Sequence, residues 1–153
     1  MELLEKLPER ILSWQLKGQG LENLGTKGRP DTVAFPASTE ENIIVRIDAV
    51  GLCFSDIKLI SAGSAHPRIE GRNLAKNPTV PGHEVVARIV AVGSAVAQHR
   101  VGERVLVQTD YRHLPTARSN AAFGYNFEGG LQEYVVVDER MVIEPGTGER
   151  FLI

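Results

Sequence analysis

The stretch Ile43-Ile44-Val45-Arg46-Ile47-Asp48-Ala49-Val50, running on into Gly51-Leu52-Cys53-Phe54-Ser55-Asp56, decides the fold. Its first eight residues are apolar at nearly every position apart from Arg46 and Asp48, which marks the first strong strand of the chain. An amphipathic segment, Ile57-Lys58-Leu59-Ile60, then reads as a short helix, capped by Ser55 or Asp56, reaching about Ser61 and ended by Gly63. A thiol, a hydroxyl and a carboxylate therefore sit together at a strand-to-helix junction. Such a junction is exposed at one end and held rigid on both sides, a placement that suits chemistry. Cys53 is the only cysteine in the chain. It reads either as a small buried hydrophobe, as free cysteines commonly are, or as part of a site.

Outward from that stretch the chain reads as short strands punctuated by Gly and Pro. Arg10 to Leu16 places Leu12, Trp14 and Leu16 on one face at period two, with Trp14 expected in the core, and Leu21 to Leu24 reads as a short return strand. Residues 26–41 form a surface loop with an extended piece at Val33-Ala34-Phe35. Residues 63–79 form a polar loop carrying His66, Arg68, Arg72 and Lys76, read as solvated charges. Pro81-Gly82-His83-Glu84 leads into the β-branched strand Val85–Val92. Val101-Gly102-Glu103-Arg104 turns into Val105–Gln108, residues 109–128 read as a loop, and Gly129-Gly130 opens a last strand, Leu131–Val137. His66, His99 and His113 read as surface residues, and Tyr125 and Phe127 either line a cleft or pack within their loop. Many short strands with little helix predict a mainly β domain, a small sandwich or barrel. No Gly-x-Gly-x-x-Gly turn joins a strand to a helix, so no dinucleotide-binding domain is expected within these residues.

The chain has 153 residues, which is about one domain. Seventeen basic and nineteen acidic residues leave a net charge of -2, which gives no field to attract nucleic acid or an anionic membrane. A single cysteine excludes an intrachain disulfide framework and a four-thiolate metal site, and suits a reducing cytoplasm. No run is long and apolar enough for a membrane span, and the acidic start Met1-Glu2-Leu3-Leu4-Glu5-Lys6 does not resemble a signal peptide.

Two candidate metal ligands stand at strand edges: Cys53 ends one strand, and His83, with Glu84 beside it, begins another. Zinc accepts thiolate, imidazole and carboxylate, and a catalytic zinc has three protein ligands and one open position. Spacing alone is weak evidence. Five ordered motifs add to it: Gly51-Leu52-Cys53-Phe54-Ser55-Asp56, Pro81-Gly82-His83-Glu84-Val85-Val86-Ala87, Val92-Gly93-Ser94, Val101-Gly102-Glu103-Arg104-Val105 and Gly129-Gly130-Leu131-Gln132-Glu133-Tyr134-Val135. From about residue 10 to 145 the chain resembles the N-terminal, GroES-like catalytic domain of zinc-dependent medium-chain alcohol dehydrogenases.

The resemblance implies a partly open, mostly antiparallel β-barrel with a few short helices over residues 1–153, and an NAD(P)-binding Rossmann domain downstream. It implies Cys53 and His83 as ligands of one catalytic zinc, Ser55 as the hydroxyl that passes the substrate proton outward, Glu84 as a carboxylate near the metal and Asp56 as a residue that steadies the site. Zinc would polarise an alcohol or carbonyl oxygen, and hydride would pass to or from a nicotinamide ring. A third ligand, Cys or Glu in the family, is expected beyond this chain. Glu144-Pro145 resembles the Glu-Pro version but follows the last barrel strand too soon, and is left outside the site. The four cysteines that hold a structural zinc in many members are missing, so no structural zinc is expected. The long loop at 63–79 and Phe123-Gly124-Tyr125-Asn126-Phe127 are similar to a branch that includes sorbose-1-phosphate reductase-like enzymes. The implied substrate is a small alcohol, polyol, sugar or sugar phosphate, handled by a homo-oligomer. The isolated 153 residues are expected to be inactive. Two other readings are a non-catalytic GroES-like binding module and a zinc-free relative of the quinone-reductase type.

Overall fold

The computed structural model describes residues 2–69, 71–117, 119–143 and 147–153, and only the backbone at Glu2, Leu3, Arg112 and His113. In chain order the strands are β1 (Glu2–Leu3), β2 (Arg10–Ser13), β3 (Asp31–Ala34), β4 (Asn42–Gly51), β5 (Glu84–Val92), β6 (Arg104–Leu106), β7 (Asp110–Pro115), β8 (Asn120–Ala122) and β9 (Tyr134–Asp138). One α-helix, α1 (Phe54–Ala62), lies between β4 and β5, and short 3-10 turns occupy Leu21–Asn23, Gly63–Ala65 and Glu139–Val142. The domain is mainly β, as the punctuation of the sequence predicts. Its strands lie in three sheets and do not close into one continuous barrel: β1-β5-β4-β9 with β6 also on β5, then the pairs β2-β3 and β7-β8.

β4 and β5 form the frame that sets the site. They pair antiparallel from Ile43 opposite Val92 to Gly51 opposite Glu84. In an antiparallel pair the end of one strand meets the start of the other. Cys53, two residues after β4, and His83, one residue before β5, are therefore brought together across 30 residues of sequence. Ile43, Val45, Val85, Ile89, Val135 and Phe123 belong to the main core beneath this sheet. A second cluster, which includes Leu16, Leu59, Leu74 and Tyr125, lies under α1. The helix docks through the fully buried Leu59 and leaves Phe54 and Ile57 exposed. Full burial of one such side chain contributes roughly 1.5–3 kcal/mol.

Three readings of the sequence change. In β2 the inward residues are Ile11 and Ser13 and Leu12 faces out, because period two does not fix phase when Ile11 and Leu12 are equally apolar. Trp14 is half-buried and packs against the second cluster. Leu21–Asn23 is a 3-10 turn rather than a strand, with Leu21 exposed and Leu24 buried beside Leu16. Residues 109–128 contain the β7-β8 hairpin, which sends Tyr111, Ala121 and Phe123 into the main core. The two alanines of β8 and the proline that ends β7 hide the strand alternation that longer apolar residues would display. Among the described residues no helix is long and apolar enough to cross a membrane.

Candidate metal centre

Cys53 is the residue that caps α1, not Ser55 or Asp56. Asp56 sits three residues further on and closes the turn. Its N–H donates to the Cys53 carbonyl at 3.2 Å, and the Cys53 N–H donates to Asp56 Oδ2 at 3.0 Å. The other carboxylate oxygen, Oδ1, accepts the Gly82 N–H at 3.0 Å and faces His83 Nδ1 at 3.3 Å. One buried carboxylate thus ties the cysteine segment to the histidine segment.

The histidine segment is fixed from its other side by two glycines. Gly82 has φ +94°, a conformation that side chains resist. Gly129 lies so close to the segment leading into β5 that a Cβ would overlap the carbonyl oxygens of Val80, Pro81 and Gly82. Its N–H donates to the Val80 carbonyl at 2.7 Å, and the Gly130 N–H donates to Gly82 at 2.7 Å. The Pro81-Gly82-His83 and Gly129-Gly130 motifs are therefore two halves of one backbone contact that aims His83.

Three side-chain atoms converge on the open side. Cys53 Sγ lies 2.7 Å from Ser55 Oγ and 3.2 Å from His83 Nε2, and Ser55 Oγ lies 3.0 Å from His83 Nε2. The Ser55 hydroxyl holds the Cys53 thiol below its ordinary pKa; burial opposes this, and the Ser55 and Asp56 N–H groups and His83 add to it. Asp56 raises His83 above the usual histidine range against the effect of burial. Burial disfavours ionisation of Asp56 itself, but His83 and the Cys53 and Gly82 N–H groups outweigh it and keep its carboxyl below the usual range. With an ionised carboxylate at Nδ1, the ring proton belongs there, and Nε2 presents its lone pair to Sγ and Oγ.

A thiolate and an imidazole nitrogen are donors that zinc accepts. Bond lengths near 2.3 Å to sulfur and 2.0–2.1 Å to nitrogen put two tetrahedral ligand atoms about 3.6 Å apart. The observed 3.2 Å lies within a few tenths of an ångström of that value, so Cys53 and His83 fit the metal. Among the described residues the cluster of potential ligands is Cys53, Asp56 and His83. Asp56 accepts the Cys53 and Gly82 N–H groups and stands 3.3 Å from Nδ1, which makes it the group that orients His83. Glu84 is not brought into the cluster. It begins β5 directly after His83, and its carboxylate is exposed beside Gly51, outside the ligand cluster. Glu144 and Pro145 lie outside the described residues.

A cavity of about 340 Å³ opens next to these atoms. Ser55 and His83 form its inner end, and Thr109, Asp110, His66, Arg68 and Tyr125 its walls. His66, read from the sequence as a surface residue, is half-buried here; burial, then Arg68 and Lys58, lowers its pKa. Tyr125 joins the cavity, while Phe127 packs on Tyr111 with ring centroids 4.9 Å apart. Arg72 is not a solvated charge: its side chain is 11% exposed, and it donates to Glu128 Oε1 at 2.6 Å, to the Asn126 carbonyl at 3.1 Å and to the Pro78 carbonyl. Lys76 stays exposed. His99 is buried, and the His113 side chain lies outside the described residues. Thr109 and Asp110 were not legible as site residues. The only signal was a polar pair beginning a stretch without periodicity.

Residues 39–146 match the family model described as the alcohol dehydrogenase GroES-like domain. The chain is 35% identical to a sorbitol dehydrogenase of Bombyx mori over 80 residues, which cover 52% of this chain and 22% of that protein. It is 27% identical to the L-sorbose 1-phosphate reductase of Klebsiella pneumoniae over 118 residues, 76% of this chain and 28% of that protein. The structure of a thermostable alcohol dehydrogenase from Pyrobaculum aerophilum has the same fold, with a TM-score of 0.68 at 18% identity over 86% of this chain and 39% of that one. The chain thus spans well under half the length of each of these three proteins.

Proposed function

Because the chain belongs to the alcohol dehydrogenase GroES-like domain family, we propose that it is the catalytic domain of a zinc-dependent dehydrogenase. The longer protein interconverts an alcohol and a carbonyl compound, with hydride exchanged with NAD(P) bound on a separate Rossmann domain. The observation that carries this reading is the convergence of Cys53 Sγ, Ser55 Oγ and His83 Nε2 within 3.2 Å of one another. A non-catalytic binding module has no use for that cluster, and a zinc-free reductase needs neither the thiol nor the imidazole.

Cys53 and His83 would hold zinc, which when bound supplies Lewis acidity toward the substrate oxygen. Ser55 stands beside both, and its hydroxyl can accept a proton from a substrate hydroxyl while donating its own onward. Asp56 keeps the His83 proton on Nδ1 and so keeps Nε2 available. Glu84, exposed beside Gly51 and outside the ligand cluster, would act on the centre through its charge alone. The single cysteine leaves no set of thiolates for a structural zinc, so one zinc per chain is the proposed content. The longer protein is proposed to be a homo-oligomer of the reducing cytoplasm, where the thiol stays reduced.

The test is turnover by the full-length protein, stripped with a chelator and reloaded with zinc, against a panel of small alcohols with NAD+ and NADP+. Zinc-dependent reduction of the nicotinamide is expected. Absence of turnover for every alcohol, in protein shown to be metal-loaded, contradicts the reading.

A further inference from the structure

We propose that the cavity beside the candidate metal centre selects a neutral polyhydroxylated substrate over phosphorylated and aromatic alcohols, with Arg68 and Asp110 as the specificity-determining residues. This deepens the dehydrogenase reading and rests on it. The cavity's volume of about 340 Å³ lies at the small end of ligand sites, which run to about 1,000 Å³. Its lining is unusual. Small-molecule sites are lined mainly by apolar side chains with a few polar ones, whereas here, among the described residues, every lining residue carries a polar side-chain atom and none is aliphatic. An aromatic or aliphatic alcohol would desolvate those groups without bonding to them. Sites built from hydrogen-bonding groups reject analogues that lack the matching hydroxyl far more strongly than apolar pockets reject a small change in size.

The charges decide between a neutral and a phosphorylated ligand. Arg68 Nη1 donates to Asp110 Oδ1 at 2.7 Å, and both side chains remain about a third exposed to the cavity and solvent. The guanidinium lies 5.4 Å from the centre of the Tyr125 ring, which holds it in place. The pair presents spare N–H donors beside a spare carboxylate oxygen, an arrangement that suits neighbouring hydroxyls, each of which both donates and accepts. A phosphate dianion would meet the Asp110 carboxylate wherever it met Arg68. Arg72 is committed to Glu128 and to backbone carbonyls, and Lys58, whose charge reaches His66, lies outside the lining with its Nζ 5.1 Å from the centre of the Phe54 ring. His66 Nδ1 accepts the Arg68 N–H at 3.2 Å, which leaves its ring proton on Nε2 as one more neutral donor. With Ser55 and His83 at the inner end, one substrate hydroxyl can sit at the reacting position while others reach the Arg68–Asp110 wall.

The experiment compares kcat and KM of the zinc-loaded full-length protein for sorbitol and xylitol, a phosphorylated hexitol and cinnamyl alcohol. Calorimetric binding of the same ligands, without nicotinamide, gives a second readout. The neutral polyols should lead in kcat/KM by at least about 100-fold. Arg68→Gln should raise their KM by about tenfold or more with little change in kcat. Asp110→Asn should also weaken the neutral polyols, yet improve binding of the phosphorylated hexitol, because it removes the repelling carboxylate and leaves the cation. A lead for cinnamyl alcohol or the phosphorylated compound, or an Asp110→Asn variant with the wild-type ranking, overturns the assignment and leaves the dehydrogenase reading standing. Failure to turn over any alcohol removes both.

Discussion

His83 and His99 are near twins in their immediate geometry and opposites in what they can do. Both are buried, at 8% and 2% exposed, and each has a carboxylate oxygen close to Nδ1: Asp56 at 3.3 Å and Glu103 at 3.2 Å. For His83 the carboxylate prevails and the pKa rises. For His99 burial prevails over Glu103, with Arg150 adding to it, and the pKa falls. The other ring nitrogen explains the difference in use. His83 Nε2 faces a thiol and a hydroxyl, whereas His99 Nε2 is buried with no hydrogen-bond partner among the described residues. Their carboxylates differ in the same way. Asp56 is bonded to the N–H groups of both site segments, while Glu103 takes the Arg100 N–H at 3.1 Å and Arg150 Nη1 at 2.7 Å and pins a turn to the C-terminal segment. A carboxylate behind a histidine makes a packed core residue as readily as a ligand; what stands on the far nitrogen separates the two.

Breaking the far side of His83 should have the largest effect. Ser55→Ala in the full-length protein is expected to lower kcat by about 10²–10⁴-fold with zinc content unchanged, as for loss of a positioned proton-transfer group. Loss of zinc along with activity would show that Ser55 only supports the structure. Next come the carboxylates. Asp56→Asn should weaken zinc affinity or activity by about 10–100-fold, while Glu103→Gln leaves zinc affinity unchanged, as measured by competition with a chromogenic chelator. Equal effects from the two would erase the contrast between the histidines.

The smallest effect is on stability and concerns His99. Its folded pKa lies below the unfolded value of about 6.5, so between the two the unfolded chain binds more protons. Stability from this residue is complete above about pH 6.5 and declines as the pH falls below it. Melting temperatures taken from about pH 7.5 to 5.5 should therefore drop more steeply for the wild type than for His99→Gln. Parallel slopes would mean that His99 is not held neutral by burial.

How much of this was legible depended on what kind of force placed each residue. The strand-junction context of Cys53 and the motif around His83 could be read because β4 and β5 are long, apolar and punctuated by glycine. Asp56 was legible as a neighbour, but its bridging role was not, since the bond to Gly82 exists only once the strands pair. Arg72 and His99 were read as solvated because burial of a polar side chain leaves no mark in hydrophobic periodicity; the four-residue spacing of His99 and Glu103 was the one available hint. Asp110 was hidden in a hairpin held by tertiary contacts rather than by β-propensity. The phase error in β2 has a similar origin, because the surface it covers, not its own composition, selects Ile11 over Leu12.

The central claim is that Cys53 and His83 hold a zinc ion. Zinc K-edge absorption, with elemental analysis, on the full-length protein tests it directly. The wild type should contain about one zinc per chain with a sulfur neighbour near 2.3 Å, and Cys53→Ala should lose that neighbour and most of the metal while its circular dichroism is unchanged. Equal zinc in both proteins, with the same neighbours around the metal, would contradict it.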